Sequence, residues 1–500
     1  TITVESAAGG SSVGIYGDNS TATSIAGSVN VSGGSGTGIY LKNSTMSSGA
    51  AIKVADVTSG IGMYVEATAG NTSLGTNTNT ISLGDNVTGM YAVGASTLNT
   101  GTIINTGTIQ SLAASADKAI GMYIGAHGSG VNTGNIRLTA VGTDKDQVGV
   151  YNHSGTFSMG SGNIEVYSQN GAGLYAKAGT VNNLSGGIIK TGSGAIGLYA
   201  DNGATIQLSG TYKSVVDNGG IFALNNGSGN INIPVGNNIV VDVEAGGMAF
   251  SSTGALNTYL SSLVTGGGTL EVNLKDPTSK LAILDTPGTI LLSSLGAAYA
   301  PGATITPQVK ISSSSNPNYT PFSVTKGTLI VDQTVNLDNS TDSYNKSDFI
   351  NSSVDVNSAI TGTNSGQLAV GQVNYGSGSL ASDRARITLN NNSTIDLSGN
   401  NSTGMLADFG DITNAGGSFI KVTGDESVGI YAANSTAVTN AGTINIGNKS
   451  VGIYGVNYLS GPESYGNGTI NINNNGSIIS TGTTHGGYGI FANDTAALGS

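Results

Sequence analysis

Asn440-Ala441-Gly442-Thr443-Ile444-Asn445-Ile446-Gly447-Asn448-Lys449-Ser450-Val451-Gly452-Ile453-Tyr454-Gly455 is the stretch whose reading decides the fold. Asn and Gly turn the chain, Thr-Ile opens a short strand, a second Gly-Asn corner follows, and Val-Gly-Ile-Tyr is another strand. The second half of this unit recurs. Gly, then Ile, Met, Leu or Val, then Tyr or Phe, begins at Gly14, Gly38, Gly62, Gly89, Gly121, Gly149, Gly173, Gly197 and Gly220. It returns at Gly429, Gly452 and Gly489, with a weakened copy at Gly404-Met405-Leu406.

Two more motifs keep phase with it. Asn stands three residues after the aromatic at Asn19, Asn43, Asn202, Asn225, Asn434 and Asn457. Asn tolerates the left-handed conformation and closes Asx turns, so a tight corner is expected there. Asn-x-Gly-Thr-Ile occurs at Asn99 to Ile103, Asn105 to Ile109 and Asn440 to Ile444, each reading as a corner followed by a strand.

Short strands could also build a sandwich or a propeller. A propeller blade needs about 40 residues, and a sandwich has no reason to repeat its sequence. A stacked coil does, because no coil buries its apolar face until a neighbour covers it. The expected fold is therefore all-β, a right-handed parallel β-helix (solenoid) with coils of about 24 residues. Alternation within Val428-Gly429-Ile430-Tyr431-Ala432 turns Ile430 inward. It places Ile15, Ile39, Met63, Met90, Met122, Leu174, Leu198, Ile430 and Ile453 in one buried column. Tyr16, Tyr40, Tyr64, Tyr91, Tyr123, Tyr151, Tyr175, Tyr199, Tyr431 and Tyr454 then point outward, with the preceding Gly outward beside them and a ring leaning across it.

Composition agrees. The chain has 500 residues with 79 Gly, only 9% charged residues, and neither Cys nor Trp; ordinary soluble domains carry about 25% charged residues and about 7% Gly. Few Lys, Arg and Glu means few helix formers, while Asn, Ser, Thr and Gly supply turns and strands. A core of this size needs no disulfides, and a chain that folds outside the cell after crossing an envelope often lacks thiols. A net charge of −12 with 17 scattered basic residues excludes a nucleic-acid partner. No apolar run approaches the ~18 residues of a membrane span. Thr1-Ile2-Thr3-Val4 is no signal peptide, and Ala497-Leu498-Gly499-Ser500 follows directly on a repeat, so the sequence reads as a fragment of a longer chain.

Three regions are expected: repeats over 1–250, a divergent, loop-decorated middle over 251–380, and repeats over 381–500. Six of the eight prolines lie between Pro277 and Pro321. Strand-like pieces such as Gly268 to Val272 and Gly327 to Val331 continue the coil, and Asp342 to Ile360, with Phe349, Ile350, Val354, Val356 and Ile360 spaced along it, suggests a short helix. Loops projecting from this middle are an expected place for partner contact.

The Asn440–Gly455 segment and its in-phase copies resemble the passenger domains of the large fusobacterial type V autotransporter adhesins, over roughly residues 1–250 and 380–500. The resemblance implies a signal peptide, a C-terminal outer-membrane barrel and a place on the bacterial surface. It implies attachment to partner bacteria, host-cell glycans or host receptors, by a monomer. No ligand-binding residue can be carried over from it.

Chemistry is sparse. Gly192-Ser193-Gly194-Ala195-Ile196-Gly197 fits a dinucleotide fingerprint and Gly10-Ser11-Ser12-Val13-Gly14 a nucleophile elbow, yet both lack a strand-to-helix context. His127, His153 and His485 are isolated, and Asp144-Lys145-Asp146 lacks the later ligands of a calcium loop. Asp383-Arg384-Ala385-Arg386 and Asp425-Glu426 are the densest charge groups and read as corners. The expectation is no catalytic residue, no metal and no cofactor. A structural stalk and a β-helical polysaccharide-degrading enzyme are the alternatives to an adhesin.

Overall fold

A computed structural model describes residues 1–112, 116–139, 146–177, 179–225, 228–252, 353–371, 387–434, 436–457 and 469–494. Between these it describes the shorter pieces 264–266, 268–276, 278–284, 289–291, 310–311, 322–324, 328–332, 334–337 and 348–349. The described residues form an all-β parallel solenoid without a helix. Contacts divide the chain into two units, the first built mainly from Thr1–Phe250 and the second mainly from Thr306–Ser500.

In the first unit strands pair in parallel one coil further on: Ile2–Asp18, Thr21–Lys42 and Thr45–Glu66 each run through nearly a whole coil, and from Ser73 onward the coil divides into one strand on each of three faces. The tyrosine face stacks Val87–Val93, Ile120–Ile124, Val148–Asn152, Ala172–Ala176 and Ile196–Ala200. A second face stacks Gly101–Asn105, Gly128–Asn132, Thr156–Met159 and Val181–Leu184. A third stacks Thr80–Leu83, Thr108–Ser111, Asn135–Leu138, Asn163–Tyr167 and Ile188–Gly192. The second unit repeats the plan in sheets of seven, six and five strands. The corners behave as the sequence indicates: Asn19, Asn43 and Asn434 adopt φ of 48°, 51° and 36°. At Asn202 the left-handed residue is instead its neighbour Gly203, at 77°.

The aliphatic column forms. Ile39 pairs with Met63, Met63 with Met90, Met90 with Met122, and the series runs through Val150 to Leu174 and Leu198, all fully buried. Ile430 and Ile453 do the same in the second unit. Ile15 is only half-buried, because its first coil has a neighbour on one side alone.

Three expectations need correction. The motif glycines do not face outward. A Cβ on Gly121 would stand 2.4 Å from the carbonyl oxygen of Gly149 and 2.7 Å from Cγ2 of Ile136, which lies inside. Gly62, Gly89, Gly173, Gly404, Gly429 and Gly452 meet the same pair, the next coil's carbonyl at the motif position and the Cγ2 of an isoleucine on the third face. Gly and the aliphatic residue after it are thus both buried, and strict alternation resumes only at the tyrosine. No aromatic leans over these glycines; an isoleucine column does, from inside.

Gly220-Ile221-Phe222 is out of phase. Ile221 pairs with Ile196 and Leu224 with Tyr199, so Phe222 takes the inward position that glycine holds elsewhere and is fully buried. The third correction concerns Asp342 to Ile360. Its described residues are strands, Asp348–Phe349 and Ser353–Val356, with Ile360–Gly362 beginning the next. Val354 and Val356 are two apart, which is strand spacing, and both are buried in a strand paired on both sides. Most of the proline-rich span from Pro277 to Pro321 lies outside the described residues.

The corners hold a feature that turn chemistry alone did not announce. Asn77, Asn105 and Asn132 are fully buried and bond in series, Nδ2 of each donating to Oδ1 of the next at 2.8 and 2.9 Å. A second series runs Asn391, Asn414, Asn440 and Asn474, at 2.8, 2.7 and 2.6 Å. The spare amide hydrogen serves the backbone of the corner: Asn391 Nδ2 also donates to the carbonyl of Phe419 at 3.1 Å. Buried serines make a third series, with the backbone N–H of Ser402 donating to Ser427 Oγ and that of Ser427 to Ser450 Oγ. Buried polar groups are tolerable because each coil supplies the partner of the one before it.

Candidate functional site

Among the described residues the outward tyrosines form a continuous ring ladder. Tyr16, Tyr40, Tyr64, Tyr91, Tyr123, Tyr151, Tyr175 and Tyr199 stand in register on successive coils, because Gly and the aliphatic residue both point inward and the next side chain must point out. Neighbouring ring centroids are 4.5 to 5.2 Å apart. The geometry changes along the ladder. Tyr16, Tyr40 and Tyr64 meet edge to face, at 68° and 80°, whereas Tyr91 and Tyr123 are nearly parallel, at 8°. Tyr16 is 55% exposed and the others are half-buried. A shorter ladder, Tyr431, Tyr454 and Phe491, repeats this in the second unit.

The border is polar. Tyr40 donates its hydroxyl to Glu66 and Tyr16 to Asp18 at 3.2 Å. His153 lies beside the rings of Tyr123 and Tyr151, and Lys177 Nζ stands 3.5 Å from its Nε2. Burial against neighbouring rings raises the phenol pKa values, to about 12 at Tyr64, Tyr123 and Tyr175, by disfavouring the phenolate. An unfolded tyrosine ionises near 10. The raised native values mean that the folded state keeps protons the unfolded state loses, so this stability is complete below pH 10 and is lost between about pH 10 and 12. Alkaline titration followed by phenolate absorbance and by urea midpoint should show both changes in that window. Ladder tyrosines ionising together with free tyrosine would contradict the packing.

Truncation tests the ladder directly. Tyr123→Ala removes contacts to Tyr91 and Tyr151 and should cost ~1–3 kcal/mol, two aromatic pairs at ~0.5–1.5 each. Tyr123→Phe should leave the urea midpoint nearly unchanged.

The residues singled out for chemistry are dispersed. His127 is exposed in a left-handed corner with φ 53°, and His485 is exposed. Asp425 accepts a bond from Asn448 Nδ2 at 3.0 Å, and Glu426 pairs with Lys449 at 3.5 Å in a left-handed turn, so both are corner residues as read. Ser193 and Gly194 form a left-handed corner and Gly197 is interior, so that motif is turn and core. Asp383 to Arg386, and Asp144 and Lys145, lie outside the described residues. Among the described residues no three His, Asp or Glu side chains converge as a metal-binding set.

Sequence reading missed one charged group because its members are far apart in the chain. On the third face Arg137 pairs with Glu165 at 3.0 Å and Lys190 with Asp217 at 3.0 Å. Tyr167 donates to Asp217, its ring covers Gly192, and Lys190 lies 5.8 Å from the ring centroid. Only the coil register brings these together. Their charges answer one another, which describes a self-satisfied surface network more than a site holding a reactive group in reserve.

No protein-family model matches the chain, and no curated protein matches it by sequence.

Proposed function

We propose that the chain is part of the adhesive passenger of a bacterial surface protein, held at the outer membrane by a barrel elsewhere in the longer polypeptide. It attaches to host cells or to partner bacteria through a glycan or protein receptor. The observation that carries this reading is the eight-ring tyrosine ladder, a half-exposed aromatic surface on a chain with only 9% charged residues. Tyrosines supply large amphipathic contact area, and contiguous exposed apolar surface marks interaction sites. Catalysis is no part of the proposal.

The test is binding of the chain to glycan arrays, epithelial cells and co-resident bacteria. One variant carries Tyr40→Ser and Tyr64→Ser, whose rings meet edge to face, and another replaces Asp276 to Pro321 with a regular coil. Loss of binding in the first variant with its fold retained supports the ladder as the contact, and loss in the second transfers the contact to the middle. No binding by the parent chain to any of these surfaces would remove the adhesive reading.

A structural stalk is the second reading, and one observation favours it. In the pairs Tyr91–Tyr123 and Tyr175–Tyr199 the rings turn their faces on each other, leaving only edges and hydroxyls to solvent. A ladder closed on itself in this way stabilises stacking of the coils without needing a ligand.

A further inference from the structure

We propose that Tyr91 and Tyr123 are a site of oxidative cross-linking, joining consecutive coils as a dityrosine when the protein meets a one-electron oxidant such as a haem peroxidase with hydrogen peroxide. The proposal is independent of the adhesive reading. It begins from an absence in the sequence. With no cysteine, no disulfide can tie one coil to the next, and the tyrosines are the side chains able to form a covalent bond across coils under oxidation.

Geometry selects the pair. Of the tyrosine–tyrosine contacts, Tyr91–Tyr123 has the shortest centroid distance, 4.5 Å, and the most parallel planes, 8°. The two tyrosines are register partners on adjacent parallel strands and their rings are stacked, so the hydroxyl-bearing ends, with the ortho carbons where tyrosyl radicals couple, lie on the same side. Gly125 borders this point: from where its Cβ would stand, Tyr91 Oη is 3.4 Å away and Cε1 of Tyr123 is 3.7 Å away. Cε1 is one of the coupling carbons, and glycine leaves room for the rings to adjust. Both rings are half-exposed, so a radical formed at the surface can reach them.

The chemistry balances. Each phenol gives one electron and its hydroxyl proton to the oxidant. The two radicals form one carbon–carbon bond between ortho positions, and the two displaced ortho hydrogens move to the phenol oxygens as the rings regain aromaticity. The protein loses two hydrogens, and one hydrogen peroxide becomes two waters. The product ties strands Val87–Val93 and Ile120–Ile124 covalently.

The experiment treats the whole chain, dilute, with peroxidase and hydrogen peroxide, followed by trypsin and mass spectrometry. Cleavage after Lys53, Lys118 and Arg137 puts Tyr91 on peptide 54–118 and Tyr123 on peptide 119–137. The expected result is blue dityrosine emission from monomeric protein and these two peptides joined, lighter by two hydrogens than their sum. Tyr91→Phe, which keeps the stack, should abolish the joined peptide, and Tyr64→Phe should leave it. Joined peptide at equal yield from urea-unfolded chain, its persistence in Tyr91→Phe, or coupling only between molecules would each overturn the proposal.

Discussion

Gly121→Ala should destabilise the first unit by about 3 kcal/mol, at the upper end of what inserting a methyl group into a packed core costs. The added carbon would lie 2.4 Å from the Gly149 carbonyl and 2.7 Å from Ile136. Neither neighbour can yield cheaply. The carbonyl belongs to the backbone of the next coil, and Ile136 is held by Ile109 on one side and Ile164 on the other. Because coils stabilise one another only through neighbours, damage should concentrate in strands flanking Gly121. Amide exchange should show protection lost first in Val87–Val93 and Val148–Asn152. Gly179→Ala is the control: its position is open, with nothing within 4 Å, so that its cost comes only from φ of 74°. Equal protection in Gly121→Ala and the parent would refute the inward placement of the motif glycines.

Asn414→Leu is the second change with a large expected effect, about 3 kcal/mol. The substitution keeps the branched heavy-atom skeleton but cuts the amide series in the middle. Asn440 Oδ1 loses its 2.7 Å donor, and Asn391 Nδ2 loses its 2.8 Å acceptor and keeps only the Phe419 carbonyl, while Ser418 Oγ retains the Ala415 carbonyl. Each buried group left without a partner costs ~1–3 kcal/mol, whereas removing both members of a pair costs far less. Replacing Asn391, Asn414, Asn440 and Asn474 together by leucine should therefore be milder than four times the single change. Urea unfolding of the single and quadruple variants checks this, and simple additivity would show that the amides do not act as a series.

The fold was legible because its signal is repetition. Ile39, Met63 and Met90 could be assigned to one column before any coordinates, since a fixed motif at a near-fixed interval leaves few architectures. The direction of the glycines was not legible. Period-2 alternation assigns Gly429 to the same side as Tyr431, and nothing in the local sequence announces two consecutive inward residues. The information lies one coil away, in the Gly452 carbonyl and in Ile444, whose Cγ2 would lie 2.6 Å from a Cβ at Gly429. Asn105 was read as turn chemistry, which it is, but its full burial depends on Asn77 and Asn132 lying above and below it. A signal was available: asparagine recurs at one register position on successive coils, where a plain turn would tolerate Asp, Ser or Gly. The misreading of Val354 and Val356 has a simpler cause. A short apolar cluster without a repeat beside it suits either spacing. For the tyrosines, outward direction was readable from sequence, but ring angles were not, and these decide whether a face or only an edge is offered.

The coil-by-coil register also has a genetic consequence. Ala172 pairs with both Val148 and Ile196, and Leu174 with both Val150 and Leu198. Recombination that removed residues 172–195 would join Gly171 to Ile196 and set Leu198 against Val150 and Tyr199 against Tyr151, each replacing its own kind. Deletion of one residue inside a strand would break this register and turn its tyrosine inward, whereas corners take up extra residues, as the 27 residues from Tyr64 to Tyr91 and the 32 from Tyr91 to Tyr123 show with the tyrosines still paired. Duplication or loss of whole coils, and length changes confined to corners, are therefore the changes this fold can accept, so that related chains should keep their ladders intact across every junction.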